Sequence, residues 1–192
     1  MSLRTAQKQN KSWLHIISTG NRQSAYALNE LMNHQSKLEF FVNNQDNQDS
    51  WNSQVAAQEP VSCVRLNYEG IISGNAEVIF PKASARQLIA LLTREQIDSP
   101  DLNTLKAGTL TEIGNILMNG FMESFGKYIR TALRSSIPDY LEGTLENIHQ
   151  NEKGRIIFTC LNCFQVPDTD VQGELLFIMR CRQPDQLHRL LQ

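Results

Sequence analysis

The sequence predicts an α+β domain of two similar halves, a mostly antiparallel sheet packed against long helices. Three observations predict it. Four apolar runs read as strands and fall in pairs, 61–68 with 71–80 and 155–166 with 171–181. Each pair is joined by a short turn, as in an antiparallel hairpin. A long amphipathic pattern fills about 108–133, and a shorter one 24–42. A repeat links the two halves. Leu88, Leu91 and Leu92 follow Gly74 at the same offsets at which Leu187, Leu190 and Leu191 follow Gly173. Glu30-x-x-Asn33 likewise matches Glu112-x-x-Asn115. The helix motifs are offset less than the glycines, so the first copy is shorter between its helix and its strands. Two half-domains of helix, strand, strand, helix are expected about a pseudo-twofold axis.

Each element has its own signal. Residues 1–12 are polar and read as a tail. Within 24–42, Leu28, Leu31, Met32 and Leu38 have helical spacing. Residues 43–54, NNQDNQDSWNSQ, lack periodicity and read as a loop. Glu69-Gly70 is a tight turn between the first two strands, and Pro81 ends the second. Ser84 and Gln87 have capping-box spacing and open a helix through Leu92. Ser99-Pro100 restarts the chain, and the long helix runs from about 102 or 109 to about 133. Arg134–Tyr140 reads as a turn, 141–148 as strand or helix, and Pro167–Asp170 as a turn. Pro184 opens a last short helix through Leu191. The expected organisation is one domain over 1–192, with 13–98 as the first half and 99–192 as the second.

Composition excludes several classes. The chain has 192 residues, 41% hydrophobic and 20% charged. A chain of this length buries roughly 70% of its unfolded surface without a staple. A net charge of −2 argues against a nucleic-acid or anionic-membrane partner, both of which need a basic field. Four cysteines are too few for a secreted disulfide scaffold. No apolar run approaches the ~20 residues that span a bilayer. The stretch Trp13–Ile17 is short and broken by His15, unlike a signal peptide or anchor. A soluble cytoplasmic protein is expected.

The candidate chemistry lies on the long helix. On a wheel, Leu110, Ile113, Leu117, Phe121, Phe125 and Tyr128 gather on one side, with Met118 and Ile129 at its edge. Opposite lie Gly108, Glu112, Asn115, Asn119, Glu123, Gly126 and Arg130. Glu112 and Asn115, three apart, are neighbours on the polar face. By residue type alone they read either as a solvated face or as a functional pair. Thr109-x-x-Glu112 also has capping-box spacing, which would turn Glu112 onto the backbone. Asn115 and Asn119 both sit mid-helix, where Lys or Glu would be more favourable.

The segment LTEIGNILMNGF resembles the helix signature of the CheC/CheX chemotaxis phosphatases. That signature is an Asp or Ser, three residues, Glu, two residues, Asn, then twenty-two residues and Pro. Glu112, Asn115 and Pro138 match it with the full spacing. GIISGNAEVIFPKASARQLIALL resembles the family's strand-then-helix segment, and GELLFIMRCRQPDQLHRLL its C-terminal repeat. The resemblance spans most of 61–192 and, more weakly, 24–42. Two departures stand out. Gly108 occupies the Asp/Ser position. In the first copy Glu30 and Asn33 fit, but Tyr26 stands at the Asp/Ser position and Pro60 is four residues late, a degenerate second site.

The resemblance implies a CheC-like fold and removal of a phosphoryl group from the aspartate of a CheY-like response regulator. Asn115 would orient the attacking water. Glu112 would pair with the regulator's lysine, and Pro138 would be structural. No metal or cofactor is implied on this chain, with Mg²⁺ on the partner regulator. A CheD-like partner or a self-dimer is also implied. The same fold resembles the FliM middle domain, so a non-catalytic module that binds a regulator is the alternative.

Other candidates are weaker. Cys160-Leu-Asn-Cys163 lacks a second pair and lies in a strand, where positions three apart face opposite ways; buried reduced thiols are expected. His15, His34, His149 and His188 are scattered. No glycine-rich phosphate loop or G-x-S-x-G is present. Trp51 in a polar loop is read as packing over the strands, with a partner contact as the alternative.

Overall fold

The computed structural model describes residues 15, 18–30, 39–43, 58–70, 73–130, 132–149 and 156–180. The polar tail, Trp51 with most of its loop, and the helix expected at 184–191 lie outside them. The described chain runs helix α1 (18–30), strand β1 (Glu39–Asn43), β2 (Val61–Glu69), β3 (Ser73–Pro81), α2 (Lys82–Thr93) and α3 (Asp101–Ile129). There follow β4 (Arg134–Ser135), β5 (Asp139–Gly143), α4 (Leu145–His149), β6 (Ile156–Gln165) and β7 (Gln172–Arg180). The strands form one sheet in the order β1-β6-β7-β3-β2-β4, with β5 also on β2, and every pairing is antiparallel. The fold class is α+β, as expected.

The two hairpins, β2–β3 and β6–β7, meet at the centre through β3 and β7. Their glycines make matching contacts. A Cβ on Gly74 would lie 2.0 Å from the Ile178 carbonyl oxygen and 2.4 Å from the Tyr68 hydroxyl. A Cβ on Gly173 would lie 2.9 Å from the Ile79 carbonyl oxygen and 2.4 Å from the Phe164 ring. Each glycine therefore admits an aromatic ring of its own hairpin and a carbonyl of the other. Tyr68 uses the space to donate a 2.8 Å hydrogen bond to the Ile178 carbonyl.

Several expectations need correction. Residues 24–42 are not one helix, because Glu39–Asn43 is a strand paired with β6. Arg134–Tyr140 is not only a turn: β4 and β5 bracket it and close the outer edge of β2. The stretch 141–148 holds both a strand end and a helix. The first half thus has one further strand, β1, and the second has two, β4 and β5, and each pairs with the hairpin of the other half. Ser84 caps nothing. Its helix starts two residues earlier, after Pro81, without a side-chain cap. The Ser84 hydroxyl donates to the Asp170 carbonyl and accepts from the Gln172 N–H, tying α2 to the β6–β7 turn.

Strand alternation sorts the side chains onto two faces. Val64, Leu66, Tyr68, Ala76, Val78, Phe80, Phe164, Leu175 and Phe177 face the helices and form the main core with Leu28, Leu88, Ile113, Leu117, Phe121 and Phe125. Phe177 is its hub, stacked on Tyr68 at 5.0 Å and met by Phe121 at 4.8 Å and Phe125 at 5.3 Å. The opposite face carries a smaller cluster, with Cys63, Ile79, Leu161, Leu176 and Ile178 under Leu145 of α4.

Candidate functional site

The site is built on α3, whose 29 residues span about 43 Å at ~1.5 Å per residue. The Ser99 hydroxyl accepts from the Asp101 N–H at its start, and Asp101 complements the positive helix end. Because the helix begins at Asp101, Thr109 is mid-helix and the Thr109–Glu112 spacing is no capping box. Arg130 ends the helix in the left-handed conformation, φ 52°, and its N–H reaches the Gly126 and Lys127 carbonyls. Leu110, Ile113, Leu117, Met118, Phe121 and Phe125 are buried, as their spacing predicts; Met122 joins them.

Two contacts fix where the polar face points. Gly114 lets the helix approach β2 so closely that an added Cβ would lie 2.6 Å from Val64 Cβ. On the other side, the buried Ser24 hydroxyl of α1 donates 2.7 Å to the Leu117 carbonyl, and Gly120 leaves room for Ser24 itself. Held from both sides, α3 cannot roll without breaking these contacts. An ion pair between Lys106 and Glu142 joins its first half to β5. Tyr140 donates 2.6 Å to the same carboxylate. The Lys106 and Tyr140 hydrogen bonds hold the Glu142 carboxyl below the usual range, and burial followed by the Glu142 bond pushes the Tyr140 hydroxyl up.

The face left outside carries Glu112, Asn115 and Asn119. Glu112 and Asn119 are exposed, and Asn115 is half-buried. Among the described residues no hydrogen bond or ion pair engages the Glu112 carboxylate. The Asn119 amide Nδ2 donates to Asn115 Oδ1 at 2.9 Å. Gly108 lies on the same exposed side, with nothing within 4 Å of an added Cβ. Pro138 is half-buried between β4 and β5, beside Ile137, which is 85% exposed. Beyond Asn119 a cavity of about 600 Å³ opens, lined by Met122, Lys127, Arg130, Leu133 and Ser135 among others. Glu30 is exposed at the last described turn of α1, and Asn33 lies outside the described residues. The Asn119–Asn115 bond is what the sequence left unread. The two mid-helix asparagines were its only signal.

A second polar cluster lies under α4. Glu77, fully buried, accepts from Arg65 Nε at 2.8 Å and Asn75 Nδ2 at 2.5 Å, and its other oxygen is 2.7 Å from His149 Nε2. Arg65 also donates to the Ile148 carbonyl at 3.2 Å. Burial alone would raise the Glu77 pKa; His149, then Arg65, outweigh it and hold the carboxyl below its ordinary value. With its carboxylate occupied and out of solvent, Glu77 pins α4 to the sheet and is not a substrate site. Cys63 and Cys163 are buried and neither forms a disulfide among the described residues; the Cys63 thiol donates to Glu77 Oε2 at 3.9 Å, and burial, then Glu174, raises the Cys163 thiol. Among the described residues no three His, Cys, Asp or Glu gather as metal ligands. In the same set no helix is long and apolar enough to cross a membrane.

No protein-family model matches the sequence, and no curated protein does. Solved structures do match. Thermotoga maritima FliY aligns with TM-score 0.65 at 9% identity, over 92% of this chain and 91% of that one. The CheX–CheY–BeF3–Mg²⁺ complex from Borrelia burgdorferi aligns with TM-score 0.60 at 18% identity, over 85% and 97%. The FliM middle domain from H. pylori aligns with TM-score 0.60 at 13% identity, over 100% and 98%. The chain has the CheC/CheX-type fold.

Proposed function

We propose that this protein hydrolyses the aspartyl phosphate of a CheY-like response regulator in chemotaxis or two-component signalling. One observation carries the reading: Glu112 and Asn115 lie side by side on the exposed face of α3, in a fold shared with a CheX solved together with CheY. A group that must enter another protein's active site has to be accessible beforehand: Glu112 is exposed, and Asn115 is partly so.

The residue chemistry suits the task. An aspartyl phosphate is labile, and the regulator supplies Mg²⁺ and a lysine of its own. What this chain adds is position. The Asn115 carboxamide both donates and accepts, so it can hold a water in line with the bond to be broken. The water oxygen bonds to phosphorus, the phosphorus–carboxylate bond breaks, and the aspartate leaves with the electron pair. The water's proton goes to the released phosphate. Glu112 pairs with the regulator's lysine and sets the register of the two proteins. Pro138 shapes the segment between β4 and β5.

The test is the lifetime of the regulator's phosphoryl group at saturating protein. Asn115→Ala is expected to lose most of the acceleration, about 10²-fold for one lost positioning group. Glu112→Ala is expected to raise the half-saturating concentration more than it lowers the maximal rate. An Asn115→Ala variant as fast as the parent would sink the mechanism.

A second reading has its own support, in the likeness to FliY and FliM and in the bare Gly108. There the chain binds a regulator without turning it over. Tight binding of phosphorylated regulator with an unchanged phosphoryl lifetime would establish it.

A further inference from the structure

We infer that Asn119 is a positioning residue that sets the orientation of the Asn115 carboxamide; the inference rests on the phosphatase reading above. Asn119 is exposed, one helical turn beyond Asn115, and its Nδ2 donates to Asn115 Oδ1 at 2.9 Å. Asparagine is a poor choice for the middle of an exposed helix face, since its side chain competes with the backbone for hydrogen bonds. Here the side chain is spent on its neighbour instead.

The consequence follows from the geometry of a planar amide. A half-buried asparagine whose amide meets no other fixed partner can still adopt two amide orientations. A donor fixed on the C-terminal side of Asn115 selects the orientation with Oδ1 towards Asn119. Nδ2 is then turned away from Asn119, with both of its hydrogens free to donate. Oδ1 keeps a second lone pair, so the amide can still accept from water. The bond thus prepares one donor–acceptor arrangement before the regulator arrives. Gly114 and Ser24 restrain the helix itself, so fixing the amide completes the positioning.

The experiment measures the phosphoryl lifetime of a phosphorylated regulator across a titration of full-length protein. The variants are Asn119→Leu, Asn119→Asp and Asn119→Gln, with Asn119→Leu also in the Asn115→Ala background. Asn119→Leu removes the donor and is expected to lower the maximal rate about tenfold, with the half-saturating concentration unchanged. Asn119→Asp offers only acceptors at neutral pH and turns the Asn115 amide round, so its loss is at least as large. Asn119→Gln keeps a donor within reach at this spacing and retains most of the rate that Asn119→Leu loses. In the Asn115→Ala background Asn119→Leu is expected to have no further effect, because the residue it positions is gone.

Four results overturn the inference: a parental rate for Asn119→Leu or Asn119→Asp, a loss seen only in half-saturation, an equal loss in the Asn115→Ala background, or no rescue by Asn119→Gln. If Asn115→Ala is slow while Asn119→Leu is fast, this inference alone fails. If Asn115→Ala matches the parent, the phosphatase reading itself falls.

Discussion

Two glycines on α3 give a matched test of how the helix is seated. Gly108 is exposed with nothing within 4 Å of an added Cβ, whereas at Gly114 that atom would lie 2.6 Å from Val64 Cβ and 2.7 Å from its Cγ1. Replacing either by Ala brings the same intrinsic helix gain, about 0.5–1 kcal/mol. At Gly108 that gain stands alone, so Gly108→Ala is expected to stabilise by about that amount. At Gly114 it is opposed. Ordinary contact begins near 3.4 Å, so a gap approaching an ångström must open. Val64 cannot yield easily: it is fully buried, its χ1 is stiff, and its strand is held by β3 on one side and β5 on the other. Overpacking of this kind costs about 1–3 kcal/mol. Because the helix term is common to both variants, their difference isolates the overpacking. Gly114→Ala is expected to fall below Gly108→Ala by about 1–3 kcal/mol in urea titrations, and by roughly 2–12 °C in melting temperature at ~2–4 °C per kcal/mol. Equal stability of the two variants would refute the close seating of α3 on β2.

Further outcomes follow from the core. Phe177→Ala removes the ring that Tyr68, Phe121 and Phe125 share and is expected to destabilise by about 3–5 kcal/mol in denaturant titration. Glu77→Gln leaves Arg65 and His149 without their buried carboxylate and is expected to cost about 3–5 kcal/mol at neutral pH. The folded pKa of Glu77 lies below its ordinary 4.5, so its contribution is full above that value and is lost as pH falls through the depressed one. Urea midpoints measured from pH 7 downward should therefore drop less steeply below pH 4.5 in Glu77→Gln than in the parent. Gly74→Ala drives a methyl into the Ile178 carbonyl oxygen, which belongs to the central strand and cannot swing aside; a loss of at least about 3 kcal/mol is expected by the same titration.

The elements that announced themselves in the sequence are those with long, strong periods. The apolar stripe from Leu110 to Phe125 marked α3, and the two hairpins stood out as paired apolar runs. The repeated glycines were legible because a close approach leaves no substitute for glycine at either position. The flanking strands were not legible. Glu39–Asn43 follows Leu38, which continues the helical spacing of Leu28 and Leu31, and its pairing partner β6 lies more than a hundred residues away. β4 and β5 are short, lie at the sheet edge, and enclose Pro138, so local signals read as a turn. Of the site, the side-by-side placement of Glu112 and Asn115 was readable from helical spacing. The hydrogen bond that orients the amide was not, since spacing places two asparagines near each other without saying which atom of one meets which of the other. The Glu77 cluster was equally hidden: His149 and Arg65 are distant in sequence, and only the folding of α4 over the sheet joins them.

The flanking strands have a consequence for how the molecule can be divided. β1 comes from the first half and completes the hairpin of the second; β4 and β5 come from the second and complete the hairpin of the first. A polypeptide cut between α2 and α3 gives two pieces, each with the outer edge of its hairpin open and a strand with nowhere to go. Such an edge invites adventitious pairing and aggregation. A chain encoding one half alone could seal its sheet only by exchanging that strand with a second copy, as in a domain-swapped homodimer. Covalent linkage of the halves turns that exchange into an intramolecular event. The sheet then closes at any protein concentration, and its two sides are free to diverge.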